Sequence, residues 1–396
     1  MRLSFDAAVE DFRREFLAWL AEHRPSAAEM AADPARSSAH LPDWSRRWAR
    51  QLFDAGWLVP GWPPERGGRN AGPVEQLVYL EELMRAGVPR TTNPQGLGII
   101  APSILDYGNA DQVRDYALPI LRGEKAGCLG MSEPGAGSDL AALATRAELR
   151  GDRFVIDGQK VWTSGANYAD FCFLFCRTDP AAPKHRGISV VLVEMDRPGV
   201  QVKPLPEIVG RHDPDLNEVF FTGVEVPASQ LVGQLGNGWA MANGSLAHER
   251  GMVWLDGVMG LQANAGRLIA DAPHWLENLG ATERAVHVDA VVRAYADAQA
   301  ARCLGYRGFA KFARGGSAPE QALMKLMSSE ARQGLALAGA ELQGARGLDA
   351  SPQLGPFPGW TPLEQYFVTF GGTISAGSSE IQRNIIAEKV LGLPRG

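Results

Sequence analysis

A short segment between residues 130 and 139 has the composition of an anion-binding loop. It reads Gly-Met-Ser-Glu-Pro-Gly-Ala-Gly-Ser-Asp, with Gly135 and Gly137 on either side of Ala136 and a hydroxyl at Ser138. Glycines let a backbone turn sharply and let its N–H groups approach a phosphate or pyrophosphate closely. A plain turn of the same composition would need no ligand. The elements on the C-terminal side of the loop decide between these two interpretations.

Composition and charge exclude several classes of function. The chain has 396 residues, a net charge of −6, 45% hydrophobic and 21% charged residues, which is typical of an ordinary globular protein. It has no Lys/Arg cluster of the kind that binds nucleic acid or an anionic membrane. No apolar run reaches the roughly 18 residues that a membrane span needs. The N-terminus carries acidic residues where a signal peptide would be apolar, so we expect the first amphipathic helix of the mature protein there.

The four cysteines indicate neither a metal site nor a disulfide framework. They are Cys128, Cys172, Cys176 and Cys303. Their spacing fits no zinc site, and four thiols in a chain of this length are too few for a disulfide scaffold. Cys172 and Cys176 lie in an apolar run, so we expect them to be buried free thiols. The expected location is therefore the reducing cytoplasm.

The order of elements is helices, then strands, then helices. Apolar residues recur at helical spacing up to about residue 127 and again from residue 233 to 396. Between residues 128 and 232, short β-rich runs alternate with turn signals, among them Arg150-Gly151-Asp152. This order predicts an α+β multidomain fold with an N-terminal α-helical domain (1–127), an antiparallel barrel or sandwich (128–232) and a C-terminal helical domain (233–396).

The position of the glycine-rich loop argues against a dinucleotide-binding Rossmann fold. That fold requires G-x-G-x-x-G between a strand and a long helix. Here the motif is different, and strands come after the loop instead of a helix. If the loop binds a phosphate group, it does so in a β-rich domain.

Three motifs, in this order, resemble the acyl-CoA dehydrogenase family. They are Met-Ser-Glu-Pro-Gly-Ala-Gly-Ser-Asp at 131–139, Gly-Gln-Lys-Val-Trp-Thr-Ser-Gly at 158–165 and Glu-Ile-Gln-Arg-Asn-Ile-Ile-Ala at 380–387. The resemblance implies an N-terminal helical domain, a central β-barrel and a C-terminal four-helix bundle, with FAD between barrel and bundle. It implies that a base removes the α-proton of an acyl-CoA thioester while the β-hydrogen leaves as hydride to flavin N5. The electrons then pass to an electron-transfer flavoprotein.

The resemblance assigns the glycine-rich loop to the flavin. Met131 and Ser132 match positions whose backbone and side chain meet the pyrimidine ring. Gly137 and Ser138 match positions at the FAD pyrophosphate, and Ser138 is also implied to lie near the bound acyl-CoA. The loop is therefore expected to bind both cofactor and substrate.

Four further cofactor contacts are implied outside this loop. Trp162 matches a tryptophan that packs against the flavin ring, although a tryptophan in a β-domain can also be a core residue. Ser164 matches a hydroxyl near flavin O4 and N5. Ser378 and Glu380 match positions near the ribose and phosphates, where a carboxylate is a poor neighbour for phosphate.

The catalytic base is not where most of the family has it. That glutamate precedes a Gly-Thr or Gly-Ser pair, and here the position is Ala376, which takes no proton. One branch of the family, which includes isovaleryl-type and long-chain-type enzymes, supplies the glutamate directly before an arginine on another helix. Glu249 and Arg250 match this arrangement and are the expected catalytic pair, with Arg250 also assigned to substrate binding; the alternative is a surface glutamate. The N–H of Ala376, with a flavin ribityl hydroxyl, is implied to bind the thioester carbonyl and stabilise the enolate.

Two further departures concern the adenine end of FAD and the oligomer. The Arg-x-x-Phe-Gly motif, which reaches the FAD of a neighbouring subunit, is replaced by the sequence at 273–280, and a Gln-x-x-Gly-Gly-x-Gly stretch is reduced at 343–347. Such variants occur among actinobacterial enzymes that act on steroid side chains, some of which pair two different subunits. The resemblance therefore leaves a homodimer, a homotetramer and a heterotetramer open, and makes a bulky or branched acyl-CoA plausible.

Two other functions are compatible with the same fold. The chain could be a non-catalytic partner subunit that completes the site of another subunit. It could also be a flavin oxidase or monooxygenase. The flavin motifs, Trp162 and Glu249 favour a dehydrogenase over the first alternative.

Overall fold

The structure is a computed structural model that describes residues 5–208, 214–312, 314, 320–349 and 361–394, with the backbone alone at 244–256, 312, 320 and 321. The chain divides into two compact units, Met1–Glu249 and Arg250–Gly396. The first unit contains a set of helices followed by a β-sheet, and the second unit is helical. Among the described residues, no helix is both long and apolar enough to cross a membrane.

The start of the first unit is helical, as the spacing of its apolar residues predicts. Its helices are α1 (Ala7–His23), α2 (Ala27–Ala32), α3 (Asp43–Asp54), α4 (Pro73–Ala86), α5 (Ala101–Tyr107), α6 (Ala110–Gln112) and α7 (Leu118–Leu121). Asp6 caps α1 by accepting a hydrogen bond from the N–H of Val9. The helix buries Phe12, Phe16 and Leu20, whose spacing places them on one face.

Two π-helical turns accommodate prolines in these helices. The turn Gly96–Ile100 comes before Pro102, and the turn Val113–Ala117 comes before Pro119. Proline lacks a backbone donor and crowds the preceding turn. The backbone hydrogen bonds of that turn therefore change from the α-helical to the π-helical pattern. Helix continues through Pro119 in α7 after the second π turn, so this proline does not end the helical run.

The middle of the chain forms one eight-stranded sheet. Its strands are β1 (Gly127–Gly130), β2 (Arg146–Arg150), β3 (Arg153–Lys160), β4 (Phe171–Arg177), β5 (Ile188–Glu194), β6 (Val200–Pro204), β7 (Asn217–Pro227) and β8 (Leu231–Val232). The strand order is β6-β7-β3-β2-β4-β5-β8, with β1 beside β4. Most pairs are antiparallel, as predicted, but β1 and β2 each run parallel to β4.

The hairpin signal at Arg150-Gly151-Asp152 is confirmed. Strands β2 and β3 pair antiparallel, and Gly151 has a φ of 63° at the turn between them. That left-handed conformation is the one for which glycine has no steric penalty.

The centre of the sheet is an apolar core. Strand β4 is buried from Phe171 to Cys176, and its neighbour β5 is buried from Ile188 to Val193. Cys128, Cys172 and Cys176 are buried and free, as predicted for the last two. Burial raises the pKa of Cys176 to about 12, so this thiol stays protonated at neutral pH.

Two polar side chains connect the helices of the first unit to its sheet. Asp215 accepts hydrogen bonds from the Ser37 hydroxyl (2.7 Å), the Ser38 N–H (2.7 Å) and the Ser38 hydroxyl (3.1 Å). The buried amide of Asn93 donates to the carbonyls of Ser38 (2.8 Å) and Gly127 (3.1 Å). Because buried polar groups are costly without partners, these bonds fix the loop at 37–38 against the sheet.

The last part of the chain is built from helices that pack through small residues. They are α8 (Gly238–Leu276), α9 (Ala281–Phe312), α10 (Glu320–Leu342), α11 (Pro362–Ile374) and α12 (Ser379–Ile385), the last continuing as a π turn, Ile386–Val390. Ala265, Ala298 and Ala338 belong to one buried cluster with Leu261 and Leu335. Small residues at these positions let helices approach closely. The loop predicted between the prolines at 352 and 362 falls almost wholly outside the described residues.

Candidate active site

The glycine-rich loop comes after β1 and is closed by a tight turn. Glu133 and Ala136 exchange backbone hydrogen bonds of 2.9 and 3.0 Å. Gly135 and Gly137 are exposed, their φ angles are not left-handed, and a Cβ added to either would meet no atom of the described residues within 4 Å. Neither the backbone conformation nor a neighbour therefore requires glycine here. Close approach of a ligand would require it.

A buried ion pair fixes the base of this loop. Lys160, the last residue of β3, has no exposed side-chain surface, and its Nζ lies 2.8 Å from Glu133 Oε1 and 3.0 Å from the carbonyl oxygen of Met131. Glu133 also accepts the N–H groups of Ala144 (2.6 Å) and Thr145 (2.9 Å). Four hydrogen bonds thus hold two charges that would be costly to bury alone.

The surroundings lower the pKa of both members of the pair. Burial lowers the pKa of Lys160, and the Glu133 carboxylate opposes that effect. Burial would raise the pKa of Glu133, but the charge and hydrogen bond of Lys160 and the N–H of Ala144 lower it below its usual range. Glu133 therefore keeps its negative charge beside Lys160.

Trp162 extends from the segment after β3. Its φ is 59°, a left-handed value that costs an L-residue roughly 1–2 kcal/mol, and 61% of its surface is exposed. The interpretation of Trp162 as a core residue is therefore wrong. A large apolar ring held in solvent by a strained backbone is suited to stack against a flat ligand.

Hydrogen bonds on both sides of Trp162 hold it in this position. The N–H of Val161 donates to the carbonyl of Ser132 (2.9 Å), and the N–H of Thr163 donates to the carbonyl of Asn217 (2.9 Å). The Asn217 amide in turn donates to the Thr163 carbonyl at 3.2 Å. The first of these bonds joins the two motifs, so Ser132 and Trp162 lie close together although 30 positions separate them. Ser164 is half-buried beside them.

A second candidate element lies between α11 and α12. Ala376 and Gly377 both have left-handed backbones, with φ of 53° and 88°. Ser378 caps α12, its hydroxyl accepting the N–H of Ile381 at 3.4 Å. Glu380 is exposed in the first turn of α12, and its own N–H and the Ser378 hydroxyl lower its pKa. It is therefore a carboxylate at neutral pH, the poor neighbour for phosphate that the sequence predicts.

The expected base and its neighbour fall in α8. The backbone of Glu249 and Arg250 is helical. Their side chains lie outside the described part of the structure, so their roles stay predictions. Among the described residues, no group of three or more His, Cys, Asp or Glu side chains is arranged to hold a metal ion.

Several polar residues of these elements were not predicted from the sequence as functional. Glu133 and Lys160 support the glycine-rich loop, and Asn217 supports the segment that carries Trp162. Lys325 and Gln382 contact the turn at 376–377. One signal was present in the sequence. Side chains alternate between the two faces of a strand, so Lys160 lies on the same face of β3 as the buried Phe154 and Ile156. This alternation predicts that the lysine is buried.

Comparisons with known proteins agree with this arrangement. Three family models match the chain: acyl-CoA dehydrogenase N-terminal domain (residues 7–124), middle domain (128–224) and C-terminal domain (236–391). Acyl-CoA dehydrogenase IpdE1 of Mycobacterium tuberculosis is 36% identical over 98% of each chain. The protein of the same name from Mycolicibacterium smegmatis is 35% identical over 98% of each.

Solved structures of related enzymes superpose along the whole chain. The Tcur3481-Tcur3483 steroid ACAD is 32% identical, with a TM-score of 0.79 and full coverage of both chains. The ChsE4-ChsE5 complex from Mycobacterium tuberculosis is 28% identical, with a TM-score of 0.78 and full coverage of both.

Fold, site and matches together define a flavin-type oxidoreductase with a helix–sheet–helix order. The chain belongs to the acyl-CoA dehydrogenase family. Its activity is the dehydrogenation of an acyl-CoA thioester, as the sequence predicts, and the relatives favour this over the non-catalytic and oxidase alternatives.

The first unit has features that fit FAD, the cofactor of this family. The exposed Trp162 ring provides a flat surface next to Ser132, and the open glycines at 135 and 137 leave room for a phosphate group beside backbone N–H groups. Both features are local to the first unit and need no rearrangement.

Proposed function

We propose that Glu249 removes the α-proton of the acyl-CoA while the N–H of Ala376 binds the thioester carbonyl. The observation that carries this proposal is the turn at Ala376, where an alanine in a left-handed conformation supplies backbone donors and no carboxylate. The base must then come from elsewhere, and Glu249, directly before Arg250, has the sequence position for it. Arg250 is assigned to orient Glu249 and substrate.

The residues that would hold FAD divide into two groups. Met131 and Ser132 would contact the pyrimidine ring, Gly137 and Ser138 the pyrophosphate, and Trp162 the ring face. FAD supplies the acceptor for the β-hydrogen. Backbone N–H groups of the loop favour the anionic phosphates, and a tryptophan face favours an aromatic ring.

The second group of residues would hold the reacting part of the flavin ring and the ribose of FAD. Ser164 would donate its hydroxyl near flavin O4 and N5. Ser378 and Glu380 would lie near the ribose and phosphates, where the Ser378 hydroxyl is the better donor. A carbonyl held by the Ala376 N–H gains stabilisation as negative charge develops on it, which acidifies the α-proton for Glu249.

Glu249→Gln is the experiment that tests the base. The variant is expected to keep FAD and to lose about 10²–10⁴-fold in kcat, because the amide takes no proton. Glu283→Gln, at an exposed position on α9, is the matched control and is expected to keep full activity. Near wild-type turnover of Glu249→Gln would show that the base is another group.

Ala376→Glu combined with Glu249→Gln is the companion test. If both positions face the substrate α-carbon, the double variant recovers part of the lost activity. No recovery, in a variant that still binds FAD, would mean that the two positions do not converge.

We infer that the substrate has a bulky or branched acyl group and that a second, related chain is part of the assembly. A structural relative is described as a steroid ACAD, and another as a complex of two differently named proteins. Val288, Val292 and Tyr295 lie at i, i+4 and i+7 on α9 with 40–54% of their surface exposed. Apolar side chains on one helix face are suited to contact another chain.

Two measurements test these points. Turnover with acyl-CoAs of graded bulk is expected to favour polycyclic acyl groups, and a preference for short linear chains would exclude that class. Native mass spectrometry of the chain alone is expected to show low FAD content that a partner chain raises. Full FAD loading in a homo-oligomer would exclude the partner.

The electron acceptor is proposed to be an electron-transfer flavoprotein in the cytoplasm. Reduction of that protein by substrate-treated enzyme, with little oxygen consumption, is the expected result. Stoichiometric oxygen consumption would identify an oxidase instead.

A further inference from the structure

The turn between α11 and α12 is held by side chains that come from two different helices. Gln382, on α12, donates from Nε2 to the carbonyl oxygen of Ala376 at 3.2 Å. Lys325, on α10, donates from Nζ to the carbonyl oxygen of Gly377 at 2.6 Å. The carbonyls of both left-handed residues are therefore bound by side-chain donors.

The backbone on the other side of the turn is fixed as well. The N–H of Ser375 donates to the carbonyl of Gly371 at 2.8 Å and ends α11. The peptide that carries the Ala376 N–H thus lies between two anchored peptides. The N–H groups of Ala376, Gly377 and Ser378 donate to no acceptor among the described residues. Three adjacent donors are left for a ligand.

Lys325 is suited to this task because it forms no ion pair with any side chain that the structure describes. Two carboxylates face it, Glu330 and Glu380, and Glu330 is bound to Arg383 at 2.5 Å. No carboxylate of the described residues comes within ion-pair distance of Lys325 Nζ. Its hydrogen bond goes to the backbone carbonyl of Gly377. A cationic donor makes a stronger hydrogen bond to a carbonyl than a neutral donor does.

We propose that Lys325 is a positioning residue for the dehydrogenation, acting through the Gly377 carbonyl to hold the Ala376 turn in its left-handed form. This rests on the proposed function, in which the Ala376 N–H binds the thioester carbonyl. Alanine prefers backbone conformations with negative φ. The turn is therefore expected to leave its left-handed form when the hydrogen bond from Lys325 is removed. The ammonium group also polarises the Gly377–Ser378 peptide, which makes its N–H a better donor.

The expected signature is a loss in kcat with little change in KM. In the proposed function the Ala376 N–H binds the reacting carbonyl and not the CoA moiety, so a shift of this N–H affects the chemical step more than substrate binding. Removing one donor from such a site costs about 10²–10³-fold, so a misplaced donor in Lys325→Met is expected to lower kcat about 10- to 100-fold. Lys325→Arg keeps a cationic donor and is expected to recover most of kcat.

The test uses the FAD-loaded enzyme and two readouts besides turnover. The first is FAD content, which is expected to be unchanged. The second is the enolate absorbance of bound acetoacetyl-CoA, an enolisable analogue, which is expected to need a higher pH in Lys325→Met. Lys389→Met, at an exposed lysine of the same C-terminal segment, is the control and should match wild type in all readouts.

Every outcome supports or overturns the proposal. Wild-type kcat and enolisation in Lys325→Met overturn it. A parallel loss of FAD, KM and kcat that Lys325→Arg does not repair also overturns it, since it indicates a general structural role. If Lys325→Met does not fold, Lys325→Gln is judged by the same readouts. Different results would refute the proposed function itself: wild-type enzyme that dehydrogenates no acyl-CoA, or a Glu249→Gln variant that remains active.

Discussion

Lys160 Nζ lies 2.8 Å from Glu133 Oε1, and the lysine has no surface exposed to solvent. The two residues belong to different sequence motifs, and both motifs carry predicted flavin contacts. Lys160 also binds the carbonyl of Met131. The ion pair therefore sets the distance between the glycine-rich loop and the segment that presents Trp162.

Breaking the ion pair on one side is expected to destabilise the protein strongly. Lys160→Met leaves the Glu133 charge buried without its partner and should cost about 3–5 kcal/mol in free energy of unfolding. Urea unfolding measures this change. Adding Glu133→Gln to Lys160→Met should restore part of the loss, and a double variant that is no more stable than the single one would contradict the explanation.

The same pair predicts a loss of stability in acid. Lys160 and the backbone donors lower the pKa of Glu133 from its usual 4.5 in the folded state. A carboxyl whose folded pKa is depressed stabilises the fold above its unfolded pKa, and that stabilisation disappears as the pH falls through the folded value. The urea midpoint should therefore fall more steeply below about pH 4.5 in wild type than in Glu133→Gln. Glu65→Gln, at an exposed position, should keep the wild-type slope.

Replacing Trp162 should weaken FAD binding and leave folding intact. An aromatic pair contributes about 0.5–1.5 kcal/mol beyond area, so Trp162→Ala should raise the Kd for FAD about 3- to 10-fold. Flavin fluorescence titration measures the change. Leu149→Ala removes another exposed apolar side chain, 47% exposed on β2, and should not change the Kd. Equal Kd values for wild type, Trp162→Ala and Leu149→Ala would exclude stacking of the flavin on Trp162.

Thiol reactivity should distinguish one cysteine from the other three. Cys303 is exposed, whereas Cys128, Cys172 and Cys176 are buried. Since the thiolate is the reactive form, burial protects these three by limiting access, and a raised pKa protects Cys128 and Cys176 further. A thiol reagent at pH 8 should label one site in the native chain and four after denaturation. Rapid native labelling of Cys303→Ser would show that the sheet core opens.

Local patterns in the sequence predicted the order of elements and drew attention to the glycine-rich loop and Trp162. Turn residues at 150–152 are enough to predict the β2–β3 hairpin, because neighbouring residues determine it. The glycine loop and Trp162 were recognisable as motifs. The domain boundaries at 127 and 232 and the roles of Glu249 and Arg250 stay predictions.

The features that the sequence did not predict depend on contacts between residues that are distant in the chain. Glu133 and Lys160 are 27 positions apart, and Asn217 reaches Thr163 from 54 positions away. The left-handed Trp162 results from these contacts, since no local pattern favours it. Lys325 and Gly377 meet across 52 positions, so the turn at Ala376 could be named from sequence but its support could not.

The links from Asp215 and Asn93 to the loop at Ser38 limit how this protein can be recombined with its relatives. Asp215 is on the sheet side and takes three hydrogen bonds from Ser37 and Ser38. A chimera that exchanged the sheet alone would leave this carboxylate facing foreign residues. Crossover points for shuffling are better placed outside the whole helix-and-sheet unit than between its two halves. Exchange of that unit as one block would keep all three hydrogen bonds of Asp215.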